Sequence, residues 1–108
     1  MPPQTKTIKV HYNSQNDYTL TPETTHVTPP ETVLFEAEVQ DATITFSPTN
    51  TLFGASVNVY VSGSPAASFP IPAGSPAIDV QFCPAALGQS CVPPPKFADN
   101  ISGSIKVS

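Results

Sequence analysis

The sequence predicts an all-β domain, an antiparallel sandwich of two packed sheets, and three observations carry that prediction. The first is alternation of apolar and polar residues in short segments such as Ile8-Lys9-Val10-His11-Tyr12 and Val57-Asn58-Val59-Tyr60-Val61. A period of two puts every second side chain on one face of a strand, so each segment buries one face and wets the other. The second is punctuation: fourteen prolines divide the chain, and no helical period survives for a useful length. The third is spacing, because seven to nine short strands at regular intervals need two sheets or a closed sheet to bury their apolar faces. At 108 residues the chain is one domain, 1–108, with room for a two-layer core and none for a second module.

The elements follow in order. Residues 7–12 form the first strand, with Ile8, Val10 and Tyr12 inward and Lys9 and His11 outward. Residues 13–17, Asn-Ser-Gln-Asn-Asp, have turn composition. Short strands at 18–21 and 25–28 are interrupted at Pro22 and closed by Pro29 and Pro30, and proline's missing N–H places them at sheet edges or crossings. Residues 33–39 are the clearest strand, with Val33, Phe35, Ala37 and Val39 opposing Leu34, Glu36 and Glu38. Gln40, Asp41 and Ala42 make a tight connection to a strand at 43–46, where Ile44 and Phe46 share a face. Residues 47–51 read as a turn, after which Leu52 and Phe53 plug one end of the core. A strand at 55–61 ends in a turn at 62–65, and 68–71 pairs with 77–82 around the connection at 72–76. One helical turn is expected at 84–87. Pro93, Pro94 and Pro95 run extended, and the last strand, 101–107, is anchored by Ile105 and Val107. Prolines throughout protect the sheet edges from pairing with other chains.

Composition excludes several functions. Only 11% of residues are charged, against about a quarter in a typical domain, and polarity comes from Thr and Ser instead. Hydroxyl-rich, charge-poor β chains suit life outside the cytoplasm, which favours a periplasmic or extracellular setting. Net charge is −4, and the only cations are Lys6, Lys9, Lys96 and Lys106. Phosphate recognition needs clustered Lys or Arg, so nucleic-acid binding is excluded, and an anionic membrane surface would repel this chain. No apolar run approaches the roughly 18 residues that span a bilayer. Residues 1–6 lack the layout of a signal peptide, which leaves two readings: a cytoplasmic protein, or a start added after a leader was removed.

Cys83 and Cys91 bracket a short Pro- and Gly-containing loop. The favoured reading is a structural disulfide, which for a nine-residue loop stabilises by about 2.6 kcal/mol on the chain-entropy model. Reduced thiols, and a metal or redox pair, are the alternatives; redox pairs favour Cys-x-x-Cys and zinc needs two more ligands. A disulfide would itself point to an oxidising compartment.

The order of elements resembles the cupredoxin family. The resemblance rests on an opening strand, a valine-x-phenylalanine strand (Val33-Leu34-Phe35), a strand running into a cysteine loop (Ile78-Asp79-Val80-Gln81-Phe82-Cys83), and a terminal strand (Gly103-Ser104-Ile105-Lys106-Val107). It spans most of the chain and implies a Greek-key sandwich, with immunoglobulin-like sandwiches as the runner-up. Copper function is not implied. A blue-copper site takes two His, a Cys thiolate and a weak axial Met, whereas here no His follows Cys83 and the only Met is Met1. Neither His11 nor His26 follows the 33–39 strand, where the upstream ligand belongs. Alternation puts Cys83 with Asp79 and Gln81, opposite Ile78, Val80 and Phe82, which suits a disulfide at the rim.

No residue stands out as catalytic, cofactor-binding or metal-ligating. His11 and His26 are expected to be solvated. Glu36 and Glu38 lie about 7 Å apart on one strand face; that spacing occurs in glycosidases, but those enzymes need aromatic sugar platforms and this chain has no Trp. With Asp41 nearby, a weak calcium site is the other alternative to a solvated face. Serines lack a Gly-x-Ser-x-Gly setting, and Asn100-Ile101-Ser102 is a glycosylation sequon that matters only in a secreting eukaryote. Tyr12, Tyr18, Phe53, Tyr60 and Phe97 are candidates for a binding patch, and Tyr60 stands foremost because alternation places it on a polar face with Ser56, Asn58 and Ser62, the alternative being packing against a neighbouring loop. The candidate binding surface is therefore Tyr60 together with Pro93, Pro94, Pro95 and Phe97 of the 83–95 loop and its continuation. The expected function is a non-catalytic binding or structural module for a protein or carbohydrate partner, without a cofactor. The alternative is an assembly subunit of a surface layer, appendage or phage particle, in which the chain would form homo-oligomers.

Overall fold

The computed structural model describes residues 4–14, 17–89 and 103–108. Nine strands are present among them: β1 (Thr5–Ser14), β2 (Asp17–Thr21), β3 (Thr24–Val27), β4 (Thr32–Glu38), β5 (Ala42–Asn50), β6 (Gly54–Val59), β7 (Ala67–Pro70), β8 (Ile78–Ala86) and β9 (Gly103–Val107). They form two facing sheets, ordered β2-β1-β4-β7 and β3-β9-β8-β5-β6. Seven ladders link them, of which β1–β4 and β3–β9 are parallel, so both sheets are mixed rather than purely antiparallel. The parallel pairs arise because strands distant in sequence become neighbours, and no hairpin can join such a pair.

Burial follows the alternation. Val33, Phe35 and Ala37 of β4 are buried, as are Ile8 and Val10 of β1 and Val80 and Phe82 of β8. Five phenylalanines knit the layers together. Phe35 meets Phe46, Phe69 and Phe82 edge-on at 5.8, 6.0 and 5.3 Å between ring centres. Phe53 stacks on Phe46 at 5.3 Å, plugging the core as its sequence position predicts. Edge-to-face contact sets the positive rim of one ring against the negative face of another, adding to the gain from burial.

The structure corrects several expectations. Val39 is not a fourth inward residue: β4 ends at Glu38, and Val39 is 62% exposed with a φ of 78°. Alternation predicts a face only while the chain stays in the strand, and here it has turned toward β5. Residues 47–51 are not a turn, because β5 continues to Asn50 across a register shift. The turn comes afterwards, where Asn50 Oδ1 accepts from the backbone N–H of Leu52 (3.0 Å) and Phe53 (2.8 Å). Strands β7 and β8 do not pair; β7 joins β4 in one sheet and β8 joins β5 and β9 in the other. The connection at 71–77 crosses between layers instead of folding back. Residues 84–87 form no helical turn, since β8 runs through Ala86 and Gln89 N–H then donates to Ala86 C=O at 2.8 Å. Pro84 is therefore inside a strand. It lies beyond the last β8–β9 pair, Phe82 with Gly103, and has only β5 beside it among the described residues.

Candidate functional site

The sandwich builds one polar cleft around Tyr60, and it does so by leaving a strand short. β4 pairs with β1 along its whole length, Thr32 to Glu38. On its other side β7 reaches only from Thr32 to Phe35. Past Phe35 the chain that would continue alongside β4 bends away through the turn at 60–63, which closes with Gly63 N–H donating to Tyr60 C=O at 2.9 Å. Gly63 has a φ of 77°, a conformation that glycine adopts without steric cost. The turn is braced from the β4–β5 connection, where Asp41 Oδ1 accepts from Val61 N–H at 2.8 Å. This bond commits Asp41 to holding a backbone amide.

Two adjoining hollows result. The first, about 170 Å³, is lined chiefly by Leu34, Phe35, Val59 and Ala67 and is mostly apolar. The second, about 350 Å³, lies between Lys9, Glu36 and Glu38 on one side and Ser62 and Gly63 on the other. Glu36 and Tyr60 form part of both walls. The phenol oxygen of Tyr60 accepts from Asn58 Nδ2 of β6 at 3.4 Å.

Charge in the polar hollow is set by register. Lys9 lies beside Glu36, and His11 beside Glu38, across the parallel β1–β4 ladder. His11 Nδ1 approaches Glu38 Oε1 at 3.4 Å. Lys9 and Glu36 line the same hollow, yet among the described residues neither forms an ion pair. The arrangement can hold a solute of mixed polarity: carboxylates and an ammonium on one wall, a ring and hydroxyl-bearing turn on the other.

The other predicted positions are dispersed. His26 is exposed on β3, beside Lys106 of β9. No group of three or more His, Cys, Asp or Glu side chains suited to a metal occurs among the described residues, and Asp41 does not join Glu36 and Glu38 in one. Nor do the donors suit the copper ion of a cupredoxin. The segment Val39-Gln40-Asp41 has no imidazole, and His11 is committed to Glu38 on β1.

Cys83 departs from expectation. It does lie on the outward face of β8, but it is fully buried with Ala85 in a small cluster apart from the main core, not at a rim. Alternation assigns a face, and it is silent on what covers that face. Cys83 is not a free thiol. Cys91, Pro93, Pro94, Pro95 and Phe97 lie outside the described residues, so of the expected binding surface only Tyr60 is placed.

Sequence reasoning missed the part played by Lys9, Asp41 and the turn at 60–63. The turn itself was legible in Ser62-Gly63-Ser64-Pro65. Its position against β4 depends on how β6 and β7 divide between the sheets, for which periodicity carries no signal. Comparison of the sequence with protein-family models finds no match, and comparison with curated proteins finds none either.

Proposed function

We propose that this chain is a non-catalytic binding module, built on a cupredoxin-like Greek-key sandwich without a copper site. It works outside the cytoplasm on a protein or carbohydrate partner. The family reading is supported by the placement of the four elements that carry the resemblance. The opening strand lies beside the valine-x-phenylalanine strand, and the cysteine strand beside the terminal strand. An immunoglobulin-like sandwich is the competing class.

The binding reading rests on one observation: Tyr60 and Glu36 are shared walls of adjoining apolar and polar hollows, on a turn held in place by Asp41. A pre-formed site loses less conformational entropy on binding than one that must be ordered. Backbone amide spectra recorded with separate pools of oligosaccharides and peptides test it. Shifts should cluster at 36–38 and 60–63 and vanish in Tyr60→Ala. Saturable shifts confined to other faces would refute it.

The assembly reading has its own support. β6 (Gly54–Val59) forms one edge of the five-stranded sheet and contains neither proline nor charge, the usual guards of an exposed edge. Light scattering across a hundredfold concentration range decides it. Self-association abolished by Ser56→Lys would favour the assembly role, and a monomer throughout would end it.

A further inference from the structure

We infer that the polar hollow is a strand-addition site for an extended peptide bearing basic residues at alternate positions. The inference rests on the Tyr60 cleft being a binding site and names the occupant's chemistry. Its first ground is the ladder. On the side of β4 away from β1, the positions Glu36, Ala37 and Glu38 have no strand beside them among the described residues, since β7 stops opposite Phe35. A strand's unpaired edge offers backbone donors and acceptors that an extended peptide can take up. The vacant length is about 10 Å, at roughly 3.3 Å per residue. The adjoining hollow is about 350 Å³.

The second ground is charge. Glu36 and Glu38 both belong to the outer face of β4, and directly opposed side chains on neighbouring strands sit about 5 Å apart. An added strand would therefore bring every second side chain beside these carboxylates. Lys9 and His11 lie on β1, across β4 from the vacancy, so the incoming side chains meet negative charge first. Acidic residues in the peptide would be repelled, and Lys or Arg would pair with Glu36, which has no ion pair among the described residues. The Tyr60 ring on the opposite wall suits a cation as well.

The third ground is Val39. A β-branched residue at φ 78° is disfavoured, and at 62% exposure Val39 has little packing to account for its side chain. Backbone strain retained at an exposed apolar residue is characteristic of recognition sites. Val39 directly follows the vacant edge, and Val61, 49% exposed, lines the hollow with Glu36 and Glu38, so it offers apolar contact to the stems of the basic side chains.

The test uses the full chain, isotopically labelled, with three capped pentapeptides: Val-Lys-Val-Lys-Val, its Glu counterpart, and the Lys peptide with N-methylated backbone. The Lys peptide should shift amides at 36–38 and 60–63 saturably. At least one amide among 36–38 should also exchange with solvent tenfold more slowly. The Glu peptide should bind at least tenfold more weakly, N-methylation should abolish binding, and Glu36→Gln with Glu38→Gln should weaken it at least fivefold. Equal binding of the N-methylated peptide would overturn strand addition, and equal binding of the Glu peptide would overturn the choice of a basic partner. Absence of binding by all three at millimolar concentration overturns this inference. The Tyr60 cleft would still stand if the pooled ligands give shifts that Tyr60→Ala removes.

Discussion

On the inner face of β4, Val33, Phe35 and Ala37 are buried, and Phe35 touches three other rings. On the outer face of the same strand, Leu34, Glu36 and Glu38 are half-buried and front two hollows. One residue of offset separates a closely packed aromatic cluster from a polar surface fronting two hollows. On the inner face, truncating Phe35 would leave a cavity, because rings from both sheets pack around it. The outer face carries polar side chains at little cost to packing because its neighbour β7 ends opposite Phe35. Stability and recognition are thus borne by alternate residues of one strand, and substitutions should divide them cleanly.

The largest effect should come from Phe35→Ala. Removing a ring that links β5, β7 and β8 leaves a cavity at the layer junction, and unfolding free energy should fall by about 3–5 kcal/mol in a denaturant titration. Replacing Cys83 and Cys91 together by Ala should cost about 2.6 kcal/mol if the two are joined as proposed. An unchanged melting temperature would count against the bond. Gly103→Ala comes next. Its new Cβ would collide with the Phe82 ring and lie 2.8 Å from the Glu23 carbonyl oxygen, an overpacking that should cost about 1–3 kcal/mol.

Tyr18 sharpens the contrast from within the core. Its hydroxyl is buried with no hydrogen-bond partner among the described residues, and its ring lies 5.2 Å from that of Tyr12. Burial, with a smaller contribution from Tyr12, raises the phenol above its ordinary value of 10.0. The folded protein therefore holds this proton more tightly than the unfolded chain. The stability it confers is complete below about pH 10 and is lost as pH rises from there toward the folded value. Tyr18→Phe should be neutral or mildly stabilising at pH 7, because it removes an unpaired polar group. It should also blunt alkaline unfolding, followed by tyrosinate absorbance and circular dichroism together. The smallest effect belongs to the outer face. Glu36→Gln with Glu38→Gln should alter stability by no more than about 0.5 kcal/mol, while a change in ligand binding would confirm that the two faces are separable.

The strands themselves were legible. Alternation in Ile8-Lys9-Val10 and Val33-Leu34-Phe35 names both the element and its inner face, since a two-residue period has one reading once one side must be apolar. Partner choice was not legible. That Phe69 packs beneath β4 while Phe82 sits in the other sheet depends on a crossing whose evidence is three-dimensional. The cleft was half legible: the paired glutamates were visible as polar-face residues, whereas β6 ends at Val59 and Tyr60, read as a strand residue, lies in the following turn. Their meeting required β7 to be short and Asp41 to hold Val61. Cys83 shows the same gap from the other side, since its face was read correctly and its burial was not.

The parallel pairing of β3 with β9 has a consequence in time. Val27 is synthesised about 80 residues before its ladder partner Val107. At about 5–20 residues per second, that is a wait of several seconds. Throughout it, β3 has no strand to lie against, and β8 lacks its β9 neighbour. The five-stranded sheet can close only once residues 103–107 have been made, so a chaperone that shields the β3 and β8 segments should raise the yield of folded protein more than one acting on the β1–β2 hairpin.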